Sequence, residues 1–369
     1  MKKDGAVRVL QVIGVMNRGG AETMIMNLYR KIDRNKVQFD FVEHTTEQAV
    51  FDDEIKQLGG RIYHCPKFTG KNYFSYKRWW DDFFKTHGAD YKIVHGHIGS
   101  TAPIYLGVAK KYGKYTIAHS HNINGNISGK EILYRLLSQR VRNVADFFFA
   151  CSKPAGQDRF GSKTEFQVLN NAIDTQQYIF SKSVRDEVRK ELGLTDEFVV
   201  GHIGRFSGQK NHDFLIDIFA QLKKKKENAK LLLVGGGTET ENVKNKVSNL
   251  GLKESVIFTG VRSDVNRLLQ AMDIFVFPSL FEGLPVTMVE AQAAGLPCVI
   301  SDKVPDECII TDGLVTVKSL SDSAEEWAEH ILSRESTVRR DTGEEIREHG
   351  FDISTTSKWL EEFYIEKAK

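Results

Sequence analysis

Hydrophobic residues in the first half fall in short runs rich in β-branched and aromatic side chains. Between these runs, apolar residues recur at helical spacing. Val7 to Gly14, Val37 to Val42, Arg61 to His64, Lys92 to His97, Tyr115 to His119 and Asp146 to Cys151 read as strands. The loop Val15 to Gly20 leads into a helix near Ala21, and Phe51 to Leu58 and Lys130 to Val144 are helical patterns. Such alternation predicts a parallel sheet covered by helices. After a charged connecting helix, Ser183 to Leu194, a second α/β series begins. Its strands are Phe198 to Gly204, Ala229 to Val234, Val256 to Phe258, Ile274 to Phe277 and Pro297 to Ser301. The pattern is thus two Rossmann-like halves, with a cleft expected between them. Ligands of open α/β sheets bind outside the carboxyl ends of the strands.

The stretch after Phe277, PSLFEGLPVTMVEAQAAG at residues 278 to 295, is a loop feeding a helix. Pro278 and Ser279 break the apolar run, Gly283 frees the backbone, and Pro285 suits a first helical position. Gly295 ends the helix. First-turn N–H groups lack internal partners and lie at the positive end of the helix dipole, so this end can hold a phosphate. Glu282 in the loop and Glu290 in the helix bracket that end, and one molecule can meet both acids. An acid near a helix N-terminus also complements the dipole without any ligand.

Composition narrows the classes. A chain of 369 residues holds two domains with their own cores, and 41% hydrophobic and 27% charged residues are ordinary for a soluble protein. The net charge of +2 gives no polyanion-binding character and no sign of a nucleic-acid partner. Cys65, Cys151, Cys298 and Cys308 form no CxxC pair and read as reduced thiols. No secretory signal or spanning segment is evident, so a cytoplasmic protein is expected, with possible peripheral contact at the inner face of the membrane. Lys71 to Lys85, KNYFSYKRWWDDFFK, reads as a helix packed by its aromatics, with an interfacial or acceptor surface as the alternative. Lys223 to Lys226 reads as a solvated helix end.

Three further clusters follow strand ends. Gly19 and Gly20, ahead of Ala21 and Glu22, let a molecule approach the backbone closely, although a tight turn explains a glycine pair equally. The segment lacks GxGxxG spacing, which argues against a dinucleotide dehydrogenase. His119, Ser120, His121 and Asn122 form the second cluster, where an imidazole can donate to or accept from a ligand hydroxyl near neutrality. His95 and His97 end another strand. Alternating histidines can imitate a metal site, but without an acidic partner at matching spacing no metal ligand is assigned. Third comes GRFSGQK, in which Arg205, with its forked donors, and Lys210, with its compact charge, can together neutralise a phosphate-bearing ligand. Surface cations worth little are the structural alternative. Asn211 is placed to cap the following helix. Gly235 to Gly237 allow close approach of a nucleotide.

These residues carry a resemblance. FPSLFEGLPVTMVEAQAAGLPCVISD, with Glu282 and Glu290 separated by seven residues, resembles retaining glycosyltransferases of family 4, especially bacterial exopolysaccharide and capsule members. The GGAE loop, the histidine loop and the Arg205–Lys210 spacing match in order. The resemblance implies a GT-B fold with an N-terminal acceptor domain over 1–178, joined by the C-terminal helix 355–369, and a donor domain over 179–354. It implies transfer from a nucleotide-sugar, a UDP-sugar in expectation, to a glycan or lipid-linked acceptor, with retention and without a metal or other cofactor. Implied roles are diphosphate binding by Arg205 and Lys210, sugar binding by Glu282, ribose binding by Glu290, and sugar contact by His121 or, alternatively, His119. Gly19, Gly20, Gly204, Gly235, Gly283, Leu284 and Pro285 line the donor, and Val261 and Arg262 neighbour the base. A UDP-sugar epimerase of the same fold and a silent subunit of a transferase complex are the competing readings.

Overall fold

The structure, a computed structural model, describes residues 5–17, 19–121 and 139–369. It contains two compact units, residues 1–172 with 352–369 and residues 173–351. Asn122 and residues 130–138 of the expected helix Lys130 to Val144 lie outside the described residues. Within that stretch, Arg140–Asn143 forms a short 3-10 turn.

Unit 1 is built on a seven-stranded parallel sheet ordered β3-β2-β1-β4-β5-β6-β7. The strands are β1 (Val7–Ile13), β2 (Val37–Glu43), β3 (Ile62–His64), β4 (Ile93–Gly96), β5 (Tyr115–Ser120), β6 (Phe147–Ala150) and β7 (Gln167–Val168). Alternation along β1 shows the layering. Val9 and Ile13 join the core under α1 (Gly20–Lys31) and the C-terminal helix Ile353–Lys367, which contributes Leu360, Phe363 and Tyr364. Leu10 and Val12 join the opposite core, where the helix Tyr73–His87 places Tyr76, Trp80, Phe83 and Phe84. That aromatic segment is therefore a packed helix, with Tyr73 and Phe74 exposed at its start.

Unit 2 repeats the plan with a six-stranded parallel sheet ordered β10-β9-β8-β11-β12-β13. Its strands are β8 (Phe198–Ile203), β9 (Ala229–Val234), β10 (Val256–Gly260), β11 (Ile274–Phe277), β12 (Cys298–Ser301) and β13 (Val315–Lys318). Both sheets reverse strand order beside their first strand, and at such a switch point the loops diverge and leave room for a ligand. The helix Val286–Ala293 begins after Pro285, which stands at the N-cap and not inside the first turn. Gly295 ends it in the left-handed region, where a Cβ would collide with the Arg340 carbonyl. Lys225 and Lys226, at the end of His212–Lys225, pair with Glu325, Glu329 and Glu335, as a solvated helix end should. All four cysteines are free and buried. No helix among the described residues is long and apolar enough to cross a membrane.

Candidate active site

In unit 2, β8 and β11 are paired neighbours, so the loops leaving their carboxyl ends run side by side. Four hydrogen bonds join those loops. The Leu280 N–H donates to the Gln209 carbonyl at 2.8 Å, and Gln209 Nε2 donates to the Phe281 carbonyl at 3.0 Å. Asn211 Nδ2 donates to the Pro278 carbonyl at 3.1 Å. Lys210 Nζ donates to Glu282 Oε1 at 2.7 Å. Asn211, expected as a side-chain helix cap, makes no capping hydrogen bond. It adopts φ 55° at the N-cap position, and its amide is spent on the neighbouring loop.

Lys210 and Glu282 are mostly enclosed, at 14% and 6% side-chain exposure, and Lys210 Nζ also lies 4.4 Å from the centre of the Phe277 ring. A charge pair this far from water is little screened, and each partner fixes the position of the other. Arg205, on the same loop, is exposed, with no ion pair among the described residues. Gly204 sits against Lys210: a Cβ there would lie 3.3 Å from Lys210 Cε. Gly235, at φ 138°, could carry no Cβ because the Gly204 carbonyl occupies the space. The ends of β8 and β9 therefore meet backbone to backbone. Beyond them, a Cβ on Gly236 would touch Val261, which is exposed. Arg262 is held by a two-bond pair to Asp264 at 2.7 and 2.6 Å.

Leu284 and Pro285 are buried and Gly283 is half-buried at the start of the Val286–Ala293 helix, whose N-cap has no side-chain hydrogen bond. Glu290, on that helix, accepts a hydrogen bond from the Tyr178 hydroxyl at 2.7 Å, and burial raises its carboxyl above the ordinary value. Tyr178 was not anticipated from sequence. The contact spans 112 positions and no motif signals it.

The corresponding end of unit 1 is different in kind. Gly19 stands at the N-cap of α1, Gly20 begins that helix, and the Glu22 side chain folds over Gly19. Burial raises the Glu22 carboxyl. Successive side chains of a strand alternate between faces, and β4 pairs with β5 so that His95 faces Ile117. His95, His97, His119 and His121 consequently share the sheet face that also carries Gln11 and the C-terminal helix. Their rings stack, with centroids 4.4 Å apart for His95 and His97 and 4.0 Å apart for His119 and His121. His97 bonds His121 Nε2 through Nδ1 and Gln11 Oε1 through Nε2, both at 2.8 Å, while His95 Nδ1 meets the Tyr364 hydroxyl at 2.7 Å. Burial pushes His95 and His121 down to about 3 and lowers His97 and His119 well below the ordinary value. The rings are neutral at pH 7. Nitrogens of His95, His97 and His119 lie within 4.8 Å of one another. The sequence placed these histidines at strand ends, and their mutual approach comes from the β4–β5 register.

The arrangement joins Lys210 with Glu282 and Gly204 with Gly235 in unit 2, and groups His121 with His119, His97 and His95 in unit 1. Among known proteins, the model of glycosyl transferases group 1 matches residues 184–349, and that of glycosyltransferase family 4 matches residues 18–177. A Bacillus subtilis (strain 168) glycosyltransferase, EpsF, is 36% identical over 350 residues, covering 92% of this chain and 91% of its own. The Escherichia coli UDP-Gal:alpha-D-GlcNAc-diphosphoundecaprenol alpha-1,3-galactosyltransferase is 30% identical over 150 residues, 40% of this chain and 39% of its own. Anabaena HepE, whose crystal structure holds UDP and glucose, superposes with a TM-score of 0.76 at 19% identity, covering 97% of this chain and 99% of that one, a likeness of fold. The two family matches, one in each half of the chain, and the near full-length relative place this protein in the GT-B-fold glycosyltransferases of family 4, group 1.

Proposed function

We propose that the protein transfers a hexose from a UDP-sugar to a hydroxyl of a glycan or lipid-linked acceptor, with retention of anomeric configuration, in exopolysaccharide- or capsule-type biosynthesis. The observation that carries this reading is the enclosed Lys210–Glu282 pair on the joined loops after β8 and β11. In it, a cation for the departing diphosphate and a carboxylate for sugar hydroxyls come as one rigid unit. A fixed cation stabilises leaving-group charge without reorganising during the reaction. Arg205, exposed on the same loop, adds the forked donors that suit phosphate oxygens. The uncapped N–H groups of the Val286–Ala293 helix supply further donors.

Two cations and a helix end supply what a divalent metal would otherwise give the diphosphate, so donor activation proceeds without magnesium or manganese. Glu290, steered by Tyr178, is assigned to the ribose hydroxyls. Gly235 and Gly204 let the ends of β9 and β8 close on each other beside the position assigned to the nucleotide, with Val261 assigned to the base. The carboxylates bind and orient. As the sugar gains oxocarbenium character, the leaving phosphate takes the acceptor proton, so no side-chain base is assigned. Unit 1 is assigned to the acceptor, with His121 as the ring that contacts the sugar. A uridine donor also agrees with the UDP-Gal named for the galactosyltransferase relative.

The test is transfer from UDP-hexoses to lipid-diphosphate-linked sugars, with product anomers read by NMR. A retained anomer, formed at a rate unchanged by added magnesium or manganese, supports the reading. An inverted product or an absolute need for either ion refutes it, and conversion of the UDP-sugar without acceptor would mark an epimerase.

A further inference from the structure

The histidine array of unit 1 contains more ligand chemistry than sugar contact requires. His95 and His119 are buried, at 1% and 3% exposure. His95 Nε2 and both nitrogens of His119 have no hydrogen-bond partner among the described residues. A neutral imidazole carries one N–H and one lone pair, and leaving a buried polar group unpaired costs about 1–3 kcal/mol. Apolar Ile117 and Phe149 are buried in the same core, so the imidazoles stand among groups that offer them no hydrogen bond.

We propose that His95, His97 and His119 form a three-nitrogen site for a divalent transition-metal ion of borderline softness, with zinc as its representative. One ring nitrogen from each residue lies within 4.8 Å of the other two. Zinc–nitrogen bonds of about 2.0–2.1 Å in tetrahedral geometry need nitrogens about 3.4 Å apart, so binding requires the stacked His97 and His119 rings to turn their nitrogens toward His95 Nε2. Imidazole donors without carboxylate or thiolate favour zinc, cobalt, nickel and copper over magnesium or calcium. Tyr364 supplies the outer support: its hydroxyl at His95 Nδ1 fixes the ring and leaves Nε2 as the inward ligand. His97 ligates by giving up one of its two bonds, to Gln11 or to His121. All three proposed ligands belong to unit 1 and none is assigned to the diphosphate, so the proposal stands independently of the donor reading.

The test uses the full chain, stripped of metal by a chelator and titrated with cobalt(II) while the visible ligand-field band is followed. Zinc is then added in competition. The expected result is about one equivalent of cobalt per chain, a band of tetrahedral or five-coordinate intensity, displacement by zinc, and none by magnesium. His119→Gln and His95→Gln weaken binding about tenfold or more. His64→Gln, altering an exposed histidine that bonds the Thr45 carbonyl, leaves it unchanged. Absence of the band in the unsubstituted protein overturns the proposal. A band that survives both cluster substitutions in variants with native circular dichroism overturns it equally.

Discussion

The two sheets reverse order at the same place, yet the loops there differ: those of unit 2 carry an enclosed ion pair, and the strand ends of unit 1 carry a cluster of four imidazoles. Unit 2 pairs the charges of its loops, Lys210 with Glu282 and Arg262 with Asp264, and buries two lowered imidazoles, His202 and His212, beside them. Unit 1 buries titratable groups until they are neutral: four lowered imidazoles, and Glu43, whose carboxyl is pushed up to about 7 by burial beside Asp52 while it accepts from the Met16 N–H. The topology supplies a position and the side chains decide what that position does. A preorganised cation suits a leaving diphosphate. Neutral rings suit hydroxyls, or a soft-edged metal, and would do little for a phosphate.

The sharpest way to break this contrast is to remove the charge pair. Lys210→Ala should lower kcat by about 10²–10³-fold, the scale of losing a preorganised transition-state donor, while the unfolding curve keeps its cooperativity. Glu282→Gln should act similarly, because it removes both the carboxylate proposed for the sugar and the group that holds Lys210. Steady-state kinetics with circular dichroism checks both, and wild-type turnover in either variant would refute the pairing argument.

On the neutral side, Glu43 gives a pH signature. Its folded value lies above the ordinary 4.5, so the folded chain keeps a proton that the unfolded chain releases. The resulting stability, up to about 3 kcal/mol, is complete below pH 4.5 and lost as pH rises through about 7. Glu43→Gln should flatten that slope in denaturant unfolding between these pH values; an unchanged slope would deny Glu43 this role.

Smaller effects sharpen the comparison inside unit 2. Tyr178→Phe removes the hydrogen-bond donor to Glu290 and should raise the nucleotide-sugar KM about tenfold with kcat little changed, since the bond orients the carboxylate proposed for the ribose. Asn211→Ala should cost about 1–2 kcal/mol in thermal unfolding, through a lost bond to Pro278 and a left-handed φ that alanine resists. Asn211→Gly, which accepts that φ, should recover part of it.

Much of this fold was legible because parallel strands buried on both faces read as short apolar runs. Ala229–Val234 and Ile274–Phe277 match their sequence bounds, and most other strands fall within a residue or two. Gln167–Val168 and Val315–Lys318 escaped notice for a physical reason: both are sheet edges, one only two residues long and the other partly exposed, so neither forms a buried run. The loops carrying Lys210 and Glu282 were visible as motifs, but their joining was not. It depends on which strands become neighbours, and only the sheet order gives that. Tyr178 was silent for the same reason. The histidines were read singly because sequence shows alternation along one strand and not the register between two.

Calorimetric titration of UDP into the wild type, Lys210→Ala and His119→Gln tests the division of labour most directly. The account predicts that Lys210→Ala weakens UDP binding about tenfold or more, the scale of a charged hydrogen bond, while His119→Gln stays within about twofold of wild type. Equal affinity for wild type and Lys210→Ala, or a loss confined to His119→Gln, would place nucleotide recognition in the wrong unit and contradict the account.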